Sequence, residues 1–343
     1  MYIIRAISEK DMEAFIKLAF QAGIGMTSMP KNREILLQKV SLAIDSFRKM
    51  VELPGKEYYL FVLEDLNTGK IVGSSGIEAK TGLSQPLMFY RLMHQTLPGL
   101  VSATPRTIPL LRVVHYFNAP SEICSLYLSP KHRREGLGKL LSLSRFLFIA
   151  SHLHRFDPIL FAEMRGFVDE NNSSPFWEGI GRHFLDIRFE TLLHIRDEEA
   201  IDLGKILPSY PIYVSLLPKK VQDSIGQVHP ETLHALNMLI REGFRLTEEL
   251  DLFDGGPRIE AETKEIRTVK ISKIASLAAL SDKEDADADN CLVSNDLLEF
   301  RACYGKVKEC GEQAVSLCKE TAEGLRLNIG DLVRYAPLGS VHE

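Results

Sequence analysis

The spacing of apolar positions changes several times along the chain, and each change marks an element. Residues 2–7 read as a strand. Ser8 then stands where a helix N-cap belongs, and Asp11, three positions on, completes a capping box. Met12, Phe15, Ile16 and Ala19 follow at helical spacing and predict a buried stripe. The loop from Gly23 to Pro30 stops that helix, and a second is predicted over about residues 32–50. Residues 58–64 and 70–79 read as two strands around the polar turn Asp65-Leu66-Asn67-Thr68-Gly69, a β-hairpin pattern. Residues 81–120 carry Pro86, Pro98, Pro105, Pro109 and Pro120 and are expected to form an elaborated loop or insertion.

The pattern is sharpest in the middle of the chain. Residues 122–128 are apolar on both faces, as a central strand requires. They run into Ser129-Pro130-Lys131-His132-Arg133-Arg134-Glu135-Gly136-Leu137-Gly138, and an almost wholly apolar helix continues to about residue 151. Such a turn aims backbone N–H groups, at the positive end of a helix dipole, toward an anion. Gly136 and Gly138 lack a Cβ and let a phosphate approach, and Lys131, Arg133 and Arg134 add positive charge. This is the pattern of a pyrophosphate cradle.

Beyond it, strands are predicted over residues 160–166, near Phe189, and over 210–216 and 244–253, with helices over 175–184 and 231–241. The acidic run 282–289 reads as an exposed loop, and the remainder from 267 as short strands. The predicted organisation is a domain over residues 1–260 and a smaller, mostly-β subdomain over 261–343.

Composition narrows the function classes. A chain of 343 residues with 45% hydrophobic and 25% charged residues is ordinary for a soluble globular protein. A net charge of −5 argues against a nucleic-acid surface spread over the molecule. No apolar run reaches the roughly 18–20 residues of a membrane span. The first residues enter a strand directly, without a secretory pattern. Five cysteines, an odd count with no C-x-x-C, fit free thiols in a reducing cytoplasm. No metal site is expected, and exposed sheet edges allow a homo- or hetero-oligomer.

Strand, helix, helix, hairpin, central strand and then Arg133-Arg134-Glu135-Gly136-Leu137-Gly138 opening a helix is an order that resembles the GNAT acyl-CoA N-acyltransferases. Further segments are similar to the arginine N-succinyltransferase family over nearly the full chain: Gly23–Thr27, Phe61–Asp65, Glu122–Leu126, Ser142–Phe146, Ala162–Gly166, Ser174–Trp177, Gly226–Pro230, Glu242–Phe244, Phe253–Pro257 and Gly330–Arg334. The resemblance implies an α+β fold: a GNAT-type mixed, mostly antiparallel sheet flanked by helices, with the small C-terminal mostly-β subdomain. It implies transfer of a succinyl group from succinyl-CoA, the co-substrate, to the α-amino group of L-arginine, and sometimes of ornithine, in arginine degradation. Residues 86–120 depart from the family pattern near where an acceptor would bind.

Transfer from a thioester to an amine needs CoA held, the carbonyl polarised, a neutral amine and a thiolate able to leave. CoA binding is assigned to Arg133, Arg134, Gly136 and Gly138. The resemblance adds the backbone of Ser125, Leu126 and Tyr127 for the pantetheine arm. A histidine on a loop fixed by a following proline suits proton transfer near neutral pH, and the family's proton donor maps onto His229. Alternatively His229 caps the helix that follows it. His152 and His154 flank a helix end and are expected to serve its dipole. Arg165 and Arg145 are candidates for a succinyl carboxylate, and Glu163, Asp169 and Glu170 for a guanidinium. Gly25 and Thr27 lie in a loop that would cover the acceptor. Rival readings are another amine acceptor or a non-catalytic acyl-CoA-binding subunit.

Overall fold

A computed structural model of the chain describes residues 1–22, 26, 28–99, 104–133, 136–171, 173–192 and 203–338. Their strands join in one continuous sheet. Its centre is β1 (Tyr2–Ala6), β2 (Tyr58–Asp65), β3 (Lys70–Glu78), β6 (Ser121–Leu128) and β7 (Ile159–Glu163), in that spatial order. Past β7 come β10 (Pro257–Glu262), β9 (Arg245–Leu250), β4 (Leu87–Leu97), β5 (Arg106–Tyr116) and the two-residue β8 (Ile212–Tyr213). All these pairs are antiparallel except β6–β7, which the helix α3 (Leu137–Ser151) links as a crossover. The mixed, mostly antiparallel α+β sheet is thus the one expected.

Side-chain alternation sorts the two faces of the centre. Tyr58, Leu60, Val62 and Tyr127 pack beneath α1 (Met12–Gln21) and α2 (Arg33–Arg48). Tyr59, Phe61, Leu63 and Ile123 pack on the opposite face against α3. The entry to α1 is held as the capping box predicts: the Ser8 N–H donates to Asp11 at 2.9 Å. The same carboxylate receives Arg5 at 2.6 and 2.8 Å. These bonds hold the Asp11 carboxyl below its usual range although burial alone would raise it. Asn32 caps α2 by accepting from the Glu34 and Ile35 N–H groups.

The C-terminal part is rich in strands, as expected. β11 (Lys273–Ser281), β12 (Asp289–Asn295), β13 (Arg301–Glu309), β14 (Ala314–Cys318) and β15 (Leu332–Pro337) run in the order β12-β15-β11-β14-β13, and β13 pairs back with β12. The ring closes around Leu277, Val293, Cys303, Val315 and Val333 and leaves those strands few open edges. It joins the main sheet where Ile4 lies opposite Ala302 on β13.

Four expectations change. Residues 87–97 and 106–116 are strands: β4 and β5 make an eleven-residue-long hairpin ladder from Leu87↔Tyr116 to Leu97↔Arg106. Phe189 begins a helical turn; Phe189 and Leu192 are buried together at i, i+3 spacing, not alternating as in a strand. Residues 210–216 pair only at Ile212–Tyr213 and then tighten into a 3-10 turn over Val214–Leu216. β10 was not anticipated at all.

Candidate active site

β6 and β7 touch only at their beginnings. Ser121 lies opposite Leu160 and Glu122 opposite Phe161, and no further register pair follows. Past Glu122 the two parallel strands part, so β6 from Ile123 to Leu128 has a ladder on its β3 side alone. The parting coincides with a β-bulge. The β3–β6 register slips between Ser74↔Tyr127 and Gly76↔Cys124, and Ser125 takes φ +52°. A non-glycine residue in that region is strained and persists where surrounding bonds hold it. Here Tyr58 Oη lies 2.7 Å from Ser125 Oγ, the Ser125 N–H donates to Ser28 Oγ at 3.0 Å, and Ser74 Oγ donates to the Ser125 carbonyl at 3.1 Å. The Ser125 amide is therefore engaged; Leu126 and Tyr127 continue along the open edge.

The glycine turn sits at the same end of the cleft. Gly136 is the N-cap of α3 at φ +71°, a conformation glycine adopts without cost. It offers no side-chain cap to the first helical amides, and the turn is exposed at Lys131, Arg133 and Gly136. Arg133 is tied back by its Nε–H to the Leu128 carbonyl at 3.3 Å. Tyr304, on β13, donates its hydroxyl to the Gly136 carbonyl at 3.0 Å. Nothing in the spacing of residues 301–309 signalled that the C-terminal ring braces this turn. Arg134 lies outside the described residues, as do Gly25 and Thr27.

Four of the motif segments converge at the far end of β7. The His229 N–H donates to the Arg165 carbonyl at 2.8 Å, Phe167 N–H to Gln227 at 3.1 Å, and Gly226 N–H to Gly255 at 2.9 Å. Met164 N–H reaches Pro257 at 3.0 Å, and Ser174 Oγ reaches the Phe253 carbonyl at 3.3 Å. The backbones meet so closely that a Cβ on Gly256 would lie 2.0 Å from the Met164 carbonyl. This weave carries His229 to the place where β6 and β7 have separated.

The His229 ring is half-buried. Its Nδ1 accepts from the Glu231 N–H at 3.2 Å, so the neutral ring carries its hydrogen on Nε2. Burial, then the positive charge of Arg165, push its pKa down against an opposing pull from Glu231. The residue thus caps a helical turn and presents a neutral Nε2–H donor at once. Arg165 lies 3.9 Å from Glu231, and its own Nε is buried with no partner.

The other candidates fall in different places. Glu163 ends β7 opposite Arg258 on β10. The Asp169 carboxylate accepts from the Asn171 and Ser173 N–H groups at 2.9 Å, closing its own loop. Glu170 is exposed beside it. Arg145 is buried in α3. His152 is neutral, its pKa pushed down to about 4 by burial, so it adds no cation to the end of α3. On the sheet face away from α3, a cavity of about 320 Å³ is lined by Phe89, Tyr116, Glu249, Arg258 and Glu260. Two of these come from the β4–β5 hairpin that the prolines obscured. Glu249 is bonded there to Arg91, Tyr116 and Arg258.

Comparison with known proteins decides the family. The family described as arginine N-succinyltransferase beta subunit matches residues 2–268, and its C-terminal domain matches residues 273–337. The chain belongs to the arginine N-succinyltransferase family. It is 35% identical to the arginine N-succinyltransferase of Escherichia coli (strain 55989 / EAEC), over 98% of each chain. The enzyme of that name from Yersinia pestis (strain Pestoides F) is also 35% identical over 98% of each. The solved structure of arginine/ornithine succinyltransferase subunit AI from Pseudomonas aeruginosa superposes with a TM-score of 0.88 at 33% identity, covering 99% of both chains. The family's name makes the chain an acyltransferase, as its motifs led one to expect. None of its described helices is long and apolar enough to cross a membrane.

Proposed function

We propose that this arginine N-succinyltransferase family member transfers the succinyl group of succinyl-CoA to the α-amino group of L-arginine in the cytoplasm, by direct attack in a ternary complex. The reading rests most on the parting of β6 from β7 after Glu122, with the glycine turn following the C-terminal end of β6 and His229 held beside the C-terminal end of β7. The CoA diphosphate lies on the first amides of α3 beside Arg133. The pantetheine arm completes the open edge of β6 near Leu126 and Tyr127, and Ser125 supplies the bulge that leaves room for the thioester. Arginine approaches from the cavity face, where Glu163 and Glu260 offer carboxylates to a guanidinium.

On attack, the amine nitrogen bonds to the thioester carbon, the carbon–sulfur bond breaks, and the proton the amine loses is the one the thiolate takes up. His229 stabilises the departing sulfur through its Nε2–H. Arg165 keeps the ring neutral and offers a cation to a substrate carboxylate.

The test is thiol release by the purified protein with succinyl-CoA against a panel of arginine, ornithine, lysine and buffer. Arginine-dependent release is expected. The Pseudomonas aeruginosa relative is named an arginine/ornithine succinyltransferase subunit, which makes ornithine the informative second arm. A protein that neither releases thiol nor binds any CoA thioester overturns the proposal, and activity appearing only with a paralogous partner makes the chain a non-catalytic subunit.

A further inference from the structure

Among the described residues, Arg145 is a buried cation without a counter-ion. It is 2% exposed, inside a helix whose buried positions are otherwise apolar or serine. Its Nε donates to the Ser142 carbonyl at 3.0 Å and one Nη to Ser142 Oγ at 2.9 Å. Both bonds stay within its own helix, and no carboxylate pairs with it among the described residues. A buried charge is ordinarily paired, and an unpaired one destabilises the fold unless something binds it. Burial already pushes its pKa down to about 10, and the Cys124 thiol on β6 is the ionisable group acting on it.

The helical wheel shows where the guanidinium points. On one flank of α3, Leu141 packs over Gly73 of β3 and Phe148 over Tyr59 and Phe61 of β2. On the other flank Phe146 meets Phe244, next to β9. Arg145 falls between these flanks at 100° per residue, so it faces the strands between β3 and β9. Those are β6, β7 and β10, with the parting of β6 from β7 among them. Gly138 lies nearly above Arg145, two turns nearer the CoA turn. A Cβ there would find nothing closer than Leu128 at 4.0 Å, so the helix is narrow along that line.

A second polar group on the same face lacks a partner. Ser75, on β3, lies opposite Phe61 and so shares its α3-covered side; it is fully buried, and its Oγ makes no hydrogen bond among the described residues. It stands between Ser74 and Gly76, where the bulge at Ser125 interrupts the ladder. Arg165, the other candidate cation, already has Glu231 beside it.

We infer that Arg145 is the acyl-specificity residue, its guanidinium receiving the terminal carboxylate of a dicarboxylic acyl-CoA donor from beneath the parted strands, with the Ser75 hydroxyl beside it. The inference rests on the acyltransferase reading and deepens it. It explains why a charge is kept where an apolar residue would be more stable, and it makes the donor's carboxylate part of the core.

The experiment compares succinyl-CoA with butyryl-CoA, in which a methyl group replaces the carboxylate, at saturating arginine. In the native protein kcat/KM favours succinyl-CoA by on the order of 10²-fold. Arg145→Met loses about that factor with succinyl-CoA and changes less than about 3-fold with butyryl-CoA. Its ligand-free Tm stays level or rises, since an unpaired buried charge is gone, while the extra Tm that succinyl-CoA confers falls to that given by butyryl-CoA. Arg145→Lys keeps the charge and raises KM for succinyl-CoA alone; if the Met variant does not fold, this variant decides. Equal losses on both donors, or an unchanged succinyl preference in either variant, overturn the inference. Native protein that uses both donors equally overturns it and leaves the acyltransferase reading standing. No turnover with any thioester overturns both.

Discussion

The backbone N–H of His229 donates to the carbonyl of Arg165 at 2.8 Å, and the Arg165 side chain charges the space in front of the imidazole that its backbone holds. One residue thus both positions the ring and sets its protonation. His229→Ala is expected to lower kcat by on the order of 10²–10³-fold, with the Kd of succinyl-CoA changed less than about 2-fold. Thiol-release kinetics and calorimetric titration separate the two. A matching rise in Kd would make His229 a binding residue instead.

The Arg165 charge has a pH signature. Burial and Arg165 both favour the neutral ring, so the midpoint of the His229 titration lies below the ordinary histidine value of 6.5. Arg165→Met removes one cause of that depression. The midpoint should then move to higher pH, toward 6.5, because a proton is now bound more readily. NMR titration of the His229 ring in both proteins checks it, and a midpoint that stays put or moves toward acid would show that the Arg165 charge does not act on the ring.

Much of this site was legible because its chemistry is local in sequence. The turn at Gly136, the strand before it and the proline-fixed loop of His229 each carry their signal within about ten residues. The β4–β5 hairpin was not legible, for an identifiable reason. Pro98 and Pro105 flank its tip, Pro86 and Pro120 its ends, and Pro109 lies next to, not within, the stretch of β5 that pairs with β8. Read along the chain they look like breakers; in the sheet they occupy ends and positions outside the outer ladder, where proline is tolerated. The cavity needs β4, β5, β7, β9 and β10 side by side, a long-range arrangement that no window of sequence contains. Tyr304 is hidden for the same reason: it reaches Gly136 across 168 residues. His152 and Asp169 show the converse, residues whose types suggested one charge role and whose burial or loop geometry gave them another.

The brace from Tyr304 yields a graded prediction. Tyr304→Phe removes one hydrogen bond, typically about 1 kcal/mol, and should raise the KM for succinyl-CoA about 5-fold with kcat intact. Gly136→Val asks a β-branched residue to adopt φ +71° and should weaken succinyl-CoA by more than about 10-fold. Fluorescence or calorimetric titration of the two variants gives the order. Tyr304→Phe proving the more damaging would mean that the hydroxyl serves the reaction and not the turn.

His152 ties the stability of α3, and so of the CoA turn at its other end, to pH. Its ring packs against Phe148 at 4.8 Å and stays neutral, with a pKa pushed from 6.5 to about 4 by burial. An unfolded chain binds a proton on this histidine below about pH 6.5, whereas the folded chain declines it until about pH 4. Over that window the unfolded state holds more protons, so folding stability falls as the pH falls, and the loss from this residue levels off below it. The full span corresponds to roughly 3 kcal/mol. His152→Phe keeps the ring contact and removes the titration. Urea unfolding at pH 7.5 and pH 5.0 should therefore show the native protein losing distinctly more stability on acidification than the variant. Equal losses in the two proteins would mean that the ring is already reached by water and protons in the folded state, and that α3 is not the acid-sensitive element.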